Sequence, residues 1–578
     1  MTRKHRLALL IDMMTLAGRR FRQSLKTRFF LSFLGRRLWR GASGTIIFDY
    51  PADLRPGNSD RAIAWLDGDY TLPGGQVSAP GDNPFRLAPV SAQWQASLHG
   101  FDWLRHLSAA DEEAGHKLAA QYIVDWIALG GETQRAAMTP QLVASRLAAW
   151  SRFLPHVRLL AKPDTLANIT ASMARQAAWL DITAPLSEDG LPRLRVALGL
   201  TLSGLIFDNG TERVRRGMDM LLREMKRQIL PDGGHNSRAP DALMPLIADM
   251  LAIESGLATR NMPKPAYLTE TVARMQTQLV LMRHRDGRLA CFNGGLEHTQ
   301  DELAPLLPTG KRGQSVRYAQ KSGYQRMQGG KTCLLVDVGQ TGHGTESLNS
   351  HAAPLAFEMS HDRHRIIVNC GPNQVHGPNW HLASRGIAAH SVLGFDSDME
   401  DPFLRHGTAA RHLGPRLKAA QWDVSMRRSE DKNGIWLDMG HGMFLASHGV
   451  RHSRRLFMTV GGDDIRGEDL LMPGMGASPA AQAPFHLRFH LHPDVSAGLQ
   501  RGSNSILLVT AGGHGWQFRA AGDTSIDIGL EDSVYMGRYG RPQRSRQITI
   551  SARLGKADTL IRWALRYSGR MSRRRKGG

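Results

Sequence analysis

The feature that most constrains the fold of this 578-residue chain is a change in the spacing of its apolar residues near residue 290. Between residues 90 and 290, apolar residues recur three and four positions apart, for example in 139–160 and 211–230. This spacing predicts amphipathic helices. After residue 290 the apolar runs are short, often alternating, and bounded by Gly, Asp, Asn or Pro, which is typical of strands. We therefore predict an α+β fold in which helices and strands are segregated.

The order of these segments also indicates how each half is built. Successive helical segments with short connections favour antiparallel helical hairpins wound into a toroid or a solenoid. Many short strands without intervening helices indicate an antiparallel β-sandwich. We predict four parts, which are a basic amphipathic arm (1–45), an α/α toroid (46–300), a β-sandwich (301–560) and a basic tail (561–578).

The net charge of +21 is concentrated at the two ends of the chain. Residues 1–40 carry eleven Lys or Arg against Asp12 alone, and residues 562–578 carry seven and no acid, so the body is almost neutral. A neutral body without a groove-reading helix argues against a nucleic-acid partner. Residues 21–40 alternate apolar and basic positions with helical spacing, so the arm is interpreted either as a peripheral membrane contact or as a solvated charged tail.

The sequence leaves the compartment and the oligomeric state open. The apolar stretch 7–18 is interrupted by Asp12 and followed by Arg19 and Arg20, which is not typical of a signal peptide. No apolar run has the roughly 18–20 residues that a transmembrane helix needs. The three cysteines lie far apart without a C-x-x-C motif, so we expect buried free thiols at Cys291, Cys333 and Cys370.

Eight stretches in order along the chain resemble one known family, the heparinase II/III-like polysaccharide lyases. The resemblance implies a toroid paired with a sandwich, and β-elimination at a uronic acid of an anionic polysaccharide. It also implies a cell-envelope or periplasmic location, with a cytoplasmic or peripheral inner-membrane location as the alternative. The stretches are W94…LHGFDWLRHL, RQILPDGGHNSRAP (227–240), DGRLACFNGG (286–295), SGYQRM (322–327), SHAAPLAFEMS…RIIVNCG (350–371), RGIAAHSVL (385–393), RHSRRLFMTVGGDDIRGEDLL (451–471) and FHLRFHLHPDV (485–495).

That chemistry makes three demands on the site. The uronate carboxylate must be neutralised by a cation, a protonated His or an Asn, so that the neighbouring proton becomes acidic. A base must remove this proton, and an acid must protonate the departing oxygen. His and Tyr are the usual residues for these roles, while Arg holds the carboxylate through paired hydrogen bonds.

In the sandwich, the resemblance implies a catalytic position and a metal site. The family's first His corresponds to Asn349, and its three metal ligands correspond to His351, Asn369 and His390. Because Asn369 offers a neutral oxygen where the family has Asp, it is a weaker ligand for zinc than a carboxylate. The resemblance thus implies one divalent metal, zinc rather than calcium. The other interpretation is that Asn369 forms hydrogen bonds to the two imidazoles.

In the helical half, the resemblance implies a Tyr shortly after the DGG loop, where this chain has Ala242, and an Asn or His where Leu191 and Pro192 stand. We predict catalytic roles for His235, Arg238, Tyr324 and Asn349, and substrate binding by Asn236, His452 and Arg455. The alternatives are structural, with His235 capping a helix, Arg238 pairing with a surface acid and Tyr324 packing. We expect His235, His351 and His390 to open onto one crevice between the halves.

The sequence is therefore compatible with two functions. The first is a polysaccharide lyase that cleaves a uronate-containing anionic polysaccharide by β-elimination at the domain interface. The second is a catalytically degenerate glycan-binding or envelope-associated protein on the same scaffold. Three substitutions favour the second function: the missing Tyr, Asn349 in place of His, and Asn369 in place of Asp.

Overall fold

The architecture below is that of a computed structural model of the chain. The residues that it describes are 3–47, 53–107, 109, 112–308, 316–340, 347–373, 375–395, 402–418, 422–480, 482–500, 505–538 and 540–571.

The helices of the described chain are concentrated before residue 304, as the 3.6-residue spacing predicts. They are α1 (Arg3–Leu31), α2 (Phe33–Arg36), α3 (Ser59–Leu66), α4 (Ala92–Gly100), α5 (Leu104–Leu107), α6 (Glu112–Ala128), α7 (Pro140–Leu160), α8 (Pro163–Thr183), α9 (Leu191–Ile206), α10 (Thr211–Gln228), α11 (Leu243–Thr259), α12 (Ala266–Leu281) and α13 (Gln300–Leu303), followed in the sandwich by α14 (Pro378–Arg385), α15 (Gly407–Leu413) and α16 (Leu445–His448).

Local sequence explains where several of these helices begin and end. Helix α7 begins at Pro140 after Thr139, because proline suits the first helical turn and lacks the N–H that would be unsatisfied there. Helix α9 begins after Gly190, whose φ of +82° favours glycine. Helix α10 ends at Gln228, just before the PDGG loop (231–234), whose proline and glycines disfavour a further helical turn.

One helical stretch in the described chain, Pro240–Thr259, is long and apolar enough to cross a membrane, which the sequence prediction did not recognise. Its mean hydropathy is 1.4, and 56% of its most apolar window is buried inside the protein. Leu246, Ile247 and Met250 are fully buried within the toroid core. Core helices of globular domains meet the same criteria, so we assign this stretch to the toroid.

The strands are β1 (Asp69–Leu72), β2 (Gly75–Ser78), β3 (Tyr318–Ala319), β4 (Tyr324–Gly329), β5 (Thr332–Asp337), β6 (Phe357–His361), β7 (His364–Val368), β8 (Leu393–Phe395), β9 (Ser425–Glu430), β10 (Gly434–His441), β11 (Val450–Thr459), β12 (Asp464–Pro473), β13 (Pro484–Leu491), β14 (Val495–Leu499), β15 (Ser505–Thr510), β16 (His514–Gly522), β17 (Ile526–Tyr535), β18 (Gln543–Arg553) and β19 (Thr559–Arg570).

Two antiparallel sheets form the sandwich, which confirms the predicted fold class. One has the order β14-β15-β16-β19-β12-β11-β10-β9, and the other has the order β17-β18-β13-β7-β6-β5-β4-β3, with β8 paired to β13. Alternating side chains of the two sheets meet in one apolar core that includes Phe357, Phe489, Trp516 and Trp563.

The two halves share buried structure rather than merely touching. Tyr324, Cys333 and Leu335, from the first strands of the sandwich, belong to the same contiguous apolar cluster as the toroid helices. Asp232 of the PDGG loop accepts hydrogen bonds from the backbone N–H groups of Lys321 and Ser322, each at 2.7 Å. The junction is therefore firmly packed and positions the residues on both of its sides.

Details of the domain limits differ from the sequence prediction. The β1–β2 hairpin lies inside the predicted helical half. Residues 288–294, at the predicted change of period near residue 290, form a loop with an isolated bridge between Arg283 and Leu289. The predicted basic tail begins within β19, because residues 561–570 pair with β12 and β16. Residues 572–578 of that tail lie outside the described residues.

Candidate functional site

A cleft of about 670 Å³ lies between the toroid and the sandwich. The toroid side includes Arg195, near the start of α9, and the loop from Asn293 to His298. The sandwich side includes Asn349, His351 and His381. Leu16 and Arg20 of α1 also line the cleft, so the N-terminal arm forms part of its wall.

Two histidines that lie far apart in sequence form a hydrogen-bonded pair beside the cleft. His351 Nδ1 is 2.8 Å from His390 Nε2, and His390 Nδ1 is 2.7 Å from the carbonyl oxygen of Gly386. Burial lowers the pKa of both imidazoles, that of His390 to about 4, so both are neutral near pH 7. The carbonyl fixes the proton on His390 Nδ1, so His351 donates from Nδ1 and keeps a free lone pair on Nε2. His351, unlike His390, lines the cleft.

The residues around this pair do not fit a zinc site. The side-chain oxygen of Asn369 accepts a hydrogen bond from the Ser391 N–H at 3.1 Å, and its amide donates to Glu358 at 3.2 Å. Among the described residues, no three or more His, Cys, Asp or Glu side chains lie together as a metal site requires. Two imidazoles without an anionic third ligand do not complete a zinc set. Asn369 therefore serves hydrogen bonding, as the alternative proposed, but its described partners are Ser391, Glu358 and Cys291 and not the two imidazoles that the alternative named.

His298, in the loop that lines the toroid side of the cleft, is protonated near pH 7. Its Nε2 is 3.4 Å from an Asp241 oxygen, and its Nδ1 is 3.5 Å from a Glu302 oxygen. Burial alone would lower its pKa, but hydrogen bonds to Asp241 and Glu302 outweigh burial and raise the pKa to about 9. Of the three imidazoles that line the cleft, His298 is charged, whereas burial lowers the pKa of His351 and of His381 and keeps both neutral near pH 7.

Arg195 contributes a positive charge to the toroid side of the cleft. Its side chain is exposed to the cleft and has no hydrogen-bond or ion-pair partner among the residues that the structure describes. Surrounding protein lowers its pKa, while Asp102 and Asp249 oppose that shift, so it remains charged. Over the described walls as a whole, seven arginines face seven carboxylates, so the cleft has little net charge.

The predicted catalytic His235 lies outside the cleft. Its Nε2 is 3.1 Å from the Gln228 side-chain oxygen, and its Nδ1 accepts a hydrogen bond from the Ser237 backbone N–H at 3.0 Å. The ring is 1% exposed, and burial lowers its pKa to about 4. His235 therefore closes the PDGG loop from inside, close to the capping role considered as the alternative, and the expected crevice shared by His235, His351 and His390 does not form.

Arg238 and Tyr324, also predicted as catalytic, connect the toroid to the sandwich. Arg238 forms a buried ion pair with Asp337 and donates to the carbonyl oxygens of Ser322 and Gln340 at 2.8 and 3.1 Å. Its guanidinium lies 5.0 Å from the centre of the Tyr324 ring, whose hydroxyl donates to the Arg238 carbonyl. Burial raises the pKa of Tyr324 above its usual value. Neither side chain lines the cleft.

Of the remaining predicted residues, Asn349 is exposed on the cleft wall. Asn236 donates to the Arg227 carbonyl at 2.8 Å and does not line the cleft. His452 is buried in the sandwich, 2.7 Å from Asp469. Arg455 lies on the outer face of β11 in an ion pair with Asp438. The three residues predicted to bind substrate are therefore not brought together at the cleft.

Sequence reasoning missed Arg195, His298 and Glu358. Arg195 is a charged residue inside the apolar run of α9, and its place one turn after Leu191 was a usable signal. His298 follows the Gly-Gly pair of a stretch that carried the family resemblance, with acidic residues on both sides. Glu358 is fully buried and bonds to His284 at 3.0 Å, a contact that β6 and a distant loop bring about. Spacing in the sequence gives no sign of that contact.

Comparison with known proteins agrees with this architecture. The family model described as Heparinase II/III-like, C-terminal, matches residues 311–564. FtsZ-localized protein C of Caulobacter vibrioides (strain NA1000 / CB15N) is 30% identical over 524 residues, which is 89% of each chain.

Solved structures with little sequence identity share the fold. Heparinase III aligns with a TM-score of 0.69 and 14% identity, over 91% of this chain and 87% of that chain. A mutant of the heparan sulfate lyase HepC from Pedobacter heparinus aligns with a TM-score of 0.60 and 14% identity, over 94% and 90%. These alignments confirm the toroid-and-sandwich fold, and with the family model and the Caulobacter relative they lead to one conclusion: the chain belongs to the heparinase II/III-like family.

Proposed function

We propose that this protein binds a uronate-bearing glycan in the cleft between its two halves. The observation that carries the proposal is Arg195, a charged guanidinium that faces the cleft without a partner in the described chain. A planar guanidinium suits a planar carboxylate through two parallel hydrogen bonds. Asn349 on the sandwich wall adds amide groups that can bond to sugar hydroxyls.

The balance of charges narrows the class of glycan. Seven arginines against seven carboxylates give little excess positive charge along the described walls. A densely sulfated polysaccharide would need many unpaired cations, because each buried anion must be compensated. The cleft instead suits a chain with scattered carboxylates, whose remaining hydroxyls can donate to acidic residues such as Asp60 and Asp69.

Replacing Arg195 with alanine is expected to weaken glycan binding about tenfold or more, because a charge-assisted bond to a carboxylate is lost. Titration calorimetry with alginate oligosaccharides, with a heparan-type oligosaccharide for comparison, measures the dissociation constant. The matched control is Arg223→Ala, which removes an exposed arginine of α10 far from the cleft lining. Equal affinities for the Arg195 and Arg223 variants, or no uronate binding by the wild type, would contradict the proposal.

A second candidate is β-elimination in the same cleft. It is favoured by the opposite protonation states of His351 and His298, because environments that separate two pKa values create an acid and a base. His351 Nε2 carries the lone pair that could accept the proton, and His298 could protonate the departing oxygen. Against this candidate, His235, Arg238 and Tyr324 have structural partners outside the cleft. His351, His390 and Asn369 also do not form a ligand set that would suit a metal.

The same preparations separate the two candidates. Elimination creates an unsaturated sugar that absorbs ultraviolet light, so an absorbance rise that disappears in His351→Ala would support a lyase. Glycan binding without any absorbance rise supports the non-catalytic function. The name of the Caulobacter relative refers to localisation, which is in line with a binding role.

We further propose that α1 makes a peripheral membrane contact. Five apolar side chains of this helix are between 48% and 69% exposed, namely Ile11, Met14, Phe21, Leu25 and Phe29. At 3.6 residues per turn they fall within an arc of about 80°. Arg22, Lys26 and Arg28 flank this arc, while Leu16 and Arg20 on the opposite face line the cleft. Such a helix suits the surface of an anionic bilayer.

Replacing Phe21, Leu25 and Phe29 together with serine is expected to reduce vesicle binding about tenfold or more, because the buried apolar area is lost. Co-sedimentation with vesicles of phosphatidylglycerol and phosphatidylcholine measures this, with pure phosphatidylcholine vesicles as the uncharged reference. Leu159→Ser, at an exposed leucine of α7, is the control. Unchanged sedimentation of the triple variant would refute the contact.

A further inference from the structure

A second cavity, of about 290 Å³, lies outside the cleft. We call it the arginine cavity. The loop before α13, the turn between β6 and β7, the segment after β13 and the segment after β17 build its walls. The residues that line it are Asp286, Arg288, Arg363, His364, Arg365, His492, Asp494 and Arg538.

Positive charge exceeds negative charge in this cavity. Four arginines face two lining carboxylates, Asp286 and Asp494. Glu297 lies behind them and is shared by Arg288 at 3.0 Å, Arg538 at 2.8 Å and Arg365 at 3.3 Å. One carboxylate thus serves three guanidinium groups, so an added anion would be attracted rather than repelled.

Two donors of the cavity, on Arg363 and His492, lack an acceptor within the described part of the chain, and a third, on Arg365, shares its acceptor with two other arginines. Arg363, exposed in the β6–β7 turn, has no hydrogen-bond or ion-pair partner there. Arg365 is 3% exposed, and its Nη1 lies 3.3 Å from a Glu297 oxygen in an ion pair without hydrogen-bond geometry. His492 accepts from the Asp494 N–H through Nδ1 at 3.3 Å, and burial lowers its pKa to about 4, so its remaining proton is on Nε2.

We propose that the arginine cavity binds an oxyanion, either a phosphate group or a sugar carboxylate. An oxyanion would supply acceptors to the exposed Arg363 and to the buried His492, and a second anionic partner to Arg365. The site is distinct from the one proposed in the cleft and does not depend on it. A smaller cavity of about 130 Å³ shares Arg61 and His298 with the cleft and Arg288 and Arg538 with the arginine cavity, so the three are neighbours.

Titration calorimetry of the full chain at low ionic strength, with inorganic phosphate in one arm and glucuronate in the other, tests this site. We expect saturable binding of at least one of the two anions by the wild type. Arg363→Ala is expected to weaken that binding about tenfold, since one charged donor is removed from a turn where no described contact depends on it. Arg223→Ala is the surface control and is expected to bind as the wild type does.

Each outcome decides the proposal. A loss with Arg363→Ala but not with Arg223→Ala supports it, and the preferred anion identifies phosphate or carboxylate as the ligand group. A loss that follows Arg195→Ala instead assigns the anion to the cleft and overturns it. Absence of binding by the wild type for both anions overturns it as well, whatever the result for glycans in the cleft.

Discussion

Acidification from pH 7 to pH 5 is expected to lower the free energy of unfolding by about 5 kcal/mol or more. The cause is a set of buried neutral imidazoles that must take up protons when the chain unfolds. His99, His235 and His390 are each at most 3% exposed. Burial lowers the pKa of each to about 4 from a usual value of 6.5.

Proton linkage determines the direction and the magnitude of this change in the free energy of unfolding. A group whose folded pKa is lowered contributes stability above its unfolded pKa and loses it as the pH falls through the folded pKa. Between pH 7 and pH 5 each of the three histidines loses about 2 kcal/mol, or about 6 together. His298, whose pKa is raised to about 9, acts in the opposite direction and returns about 1 kcal/mol. These four histidines give a net loss of about 5 kcal/mol, and His351 and His492, whose pKa values burial also lowers, add to it. The loss is comparable to the whole stability of an ordinary domain.

Urea unfolding at pH 7, 6 and 5 measures this effect, with tryptophan fluorescence as the signal. The matched variant is His235→Gln, which removes one titrating imidazole and is expected to reduce the pH-dependent loss by about 2 kcal/mol, whatever it does to stability at pH 7. A free energy of unfolding that stays constant between pH 7 and pH 5 would show that these imidazoles are not held neutral in the folded chain.

Removal of the Asp337 carboxylate is expected to destabilise the fold by about 3–5 kcal/mol, because it leaves the buried Arg238 charge without a counterion. Asp337 also accepts hydrogen bonds from the Gly339 N–H at 3.0 Å and from the Asn293 amide at 3.1 Å. All of these partners lie at the junction of the toroid and the sandwich, so the loss reports on how firmly the two halves are joined.

Urea unfolding at pH 7 measures the free energy of unfolding of the Asp337→Ala variant and of a surface control, Glu113→Ala. Glu113 pairs with Lys117 on the surface of α6, where 74% and 61% of the side chains are exposed. Such a pair contributes about 0.5 kcal/mol or less. A double variant, Arg238→Met with Asp337→Leu, is expected to recover most of the loss, since no unpaired charge remains. Equal stabilities for the Asp337 and Glu113 variants would contradict a buried pair.

The fold could be predicted from the sequence because its cause is local. Apolar residues recur with the helical period of 3.6 before residue 290 and often with the strand period of 2 after it. This change separates the two halves. Local chemistry likewise determines the start of α7, where Pro140 follows Thr139. The β1–β2 hairpin was missed because its strands have four residues each, too few for a period to be recognised.

The candidate site could be predicted only in part, because long-range contacts decide where its side chains point. The family resemblance singled out His351 and His390, which the fold brings within 2.8 Å of each other. The PDGG loop was expected to present His235 to the crevice. Asp232 instead draws that loop onto the backbone of Lys321 and Ser322, while Gln228 holds the ring inside. None of these contacts is visible in residue spacing.

The double role of α1 has a thermodynamic consequence. Its inner face closes the cleft through ion pairs of Arg19 with Asp189 and of Arg20 with Glu188, while its outer face carries the apolar arc. A displacement of this helix alters both surfaces together. If both proposed contacts form and favour different positions of α1, each changes the affinity of the other by the same factor, and a lipid bilayer and a sugar chain would be reciprocal effectors.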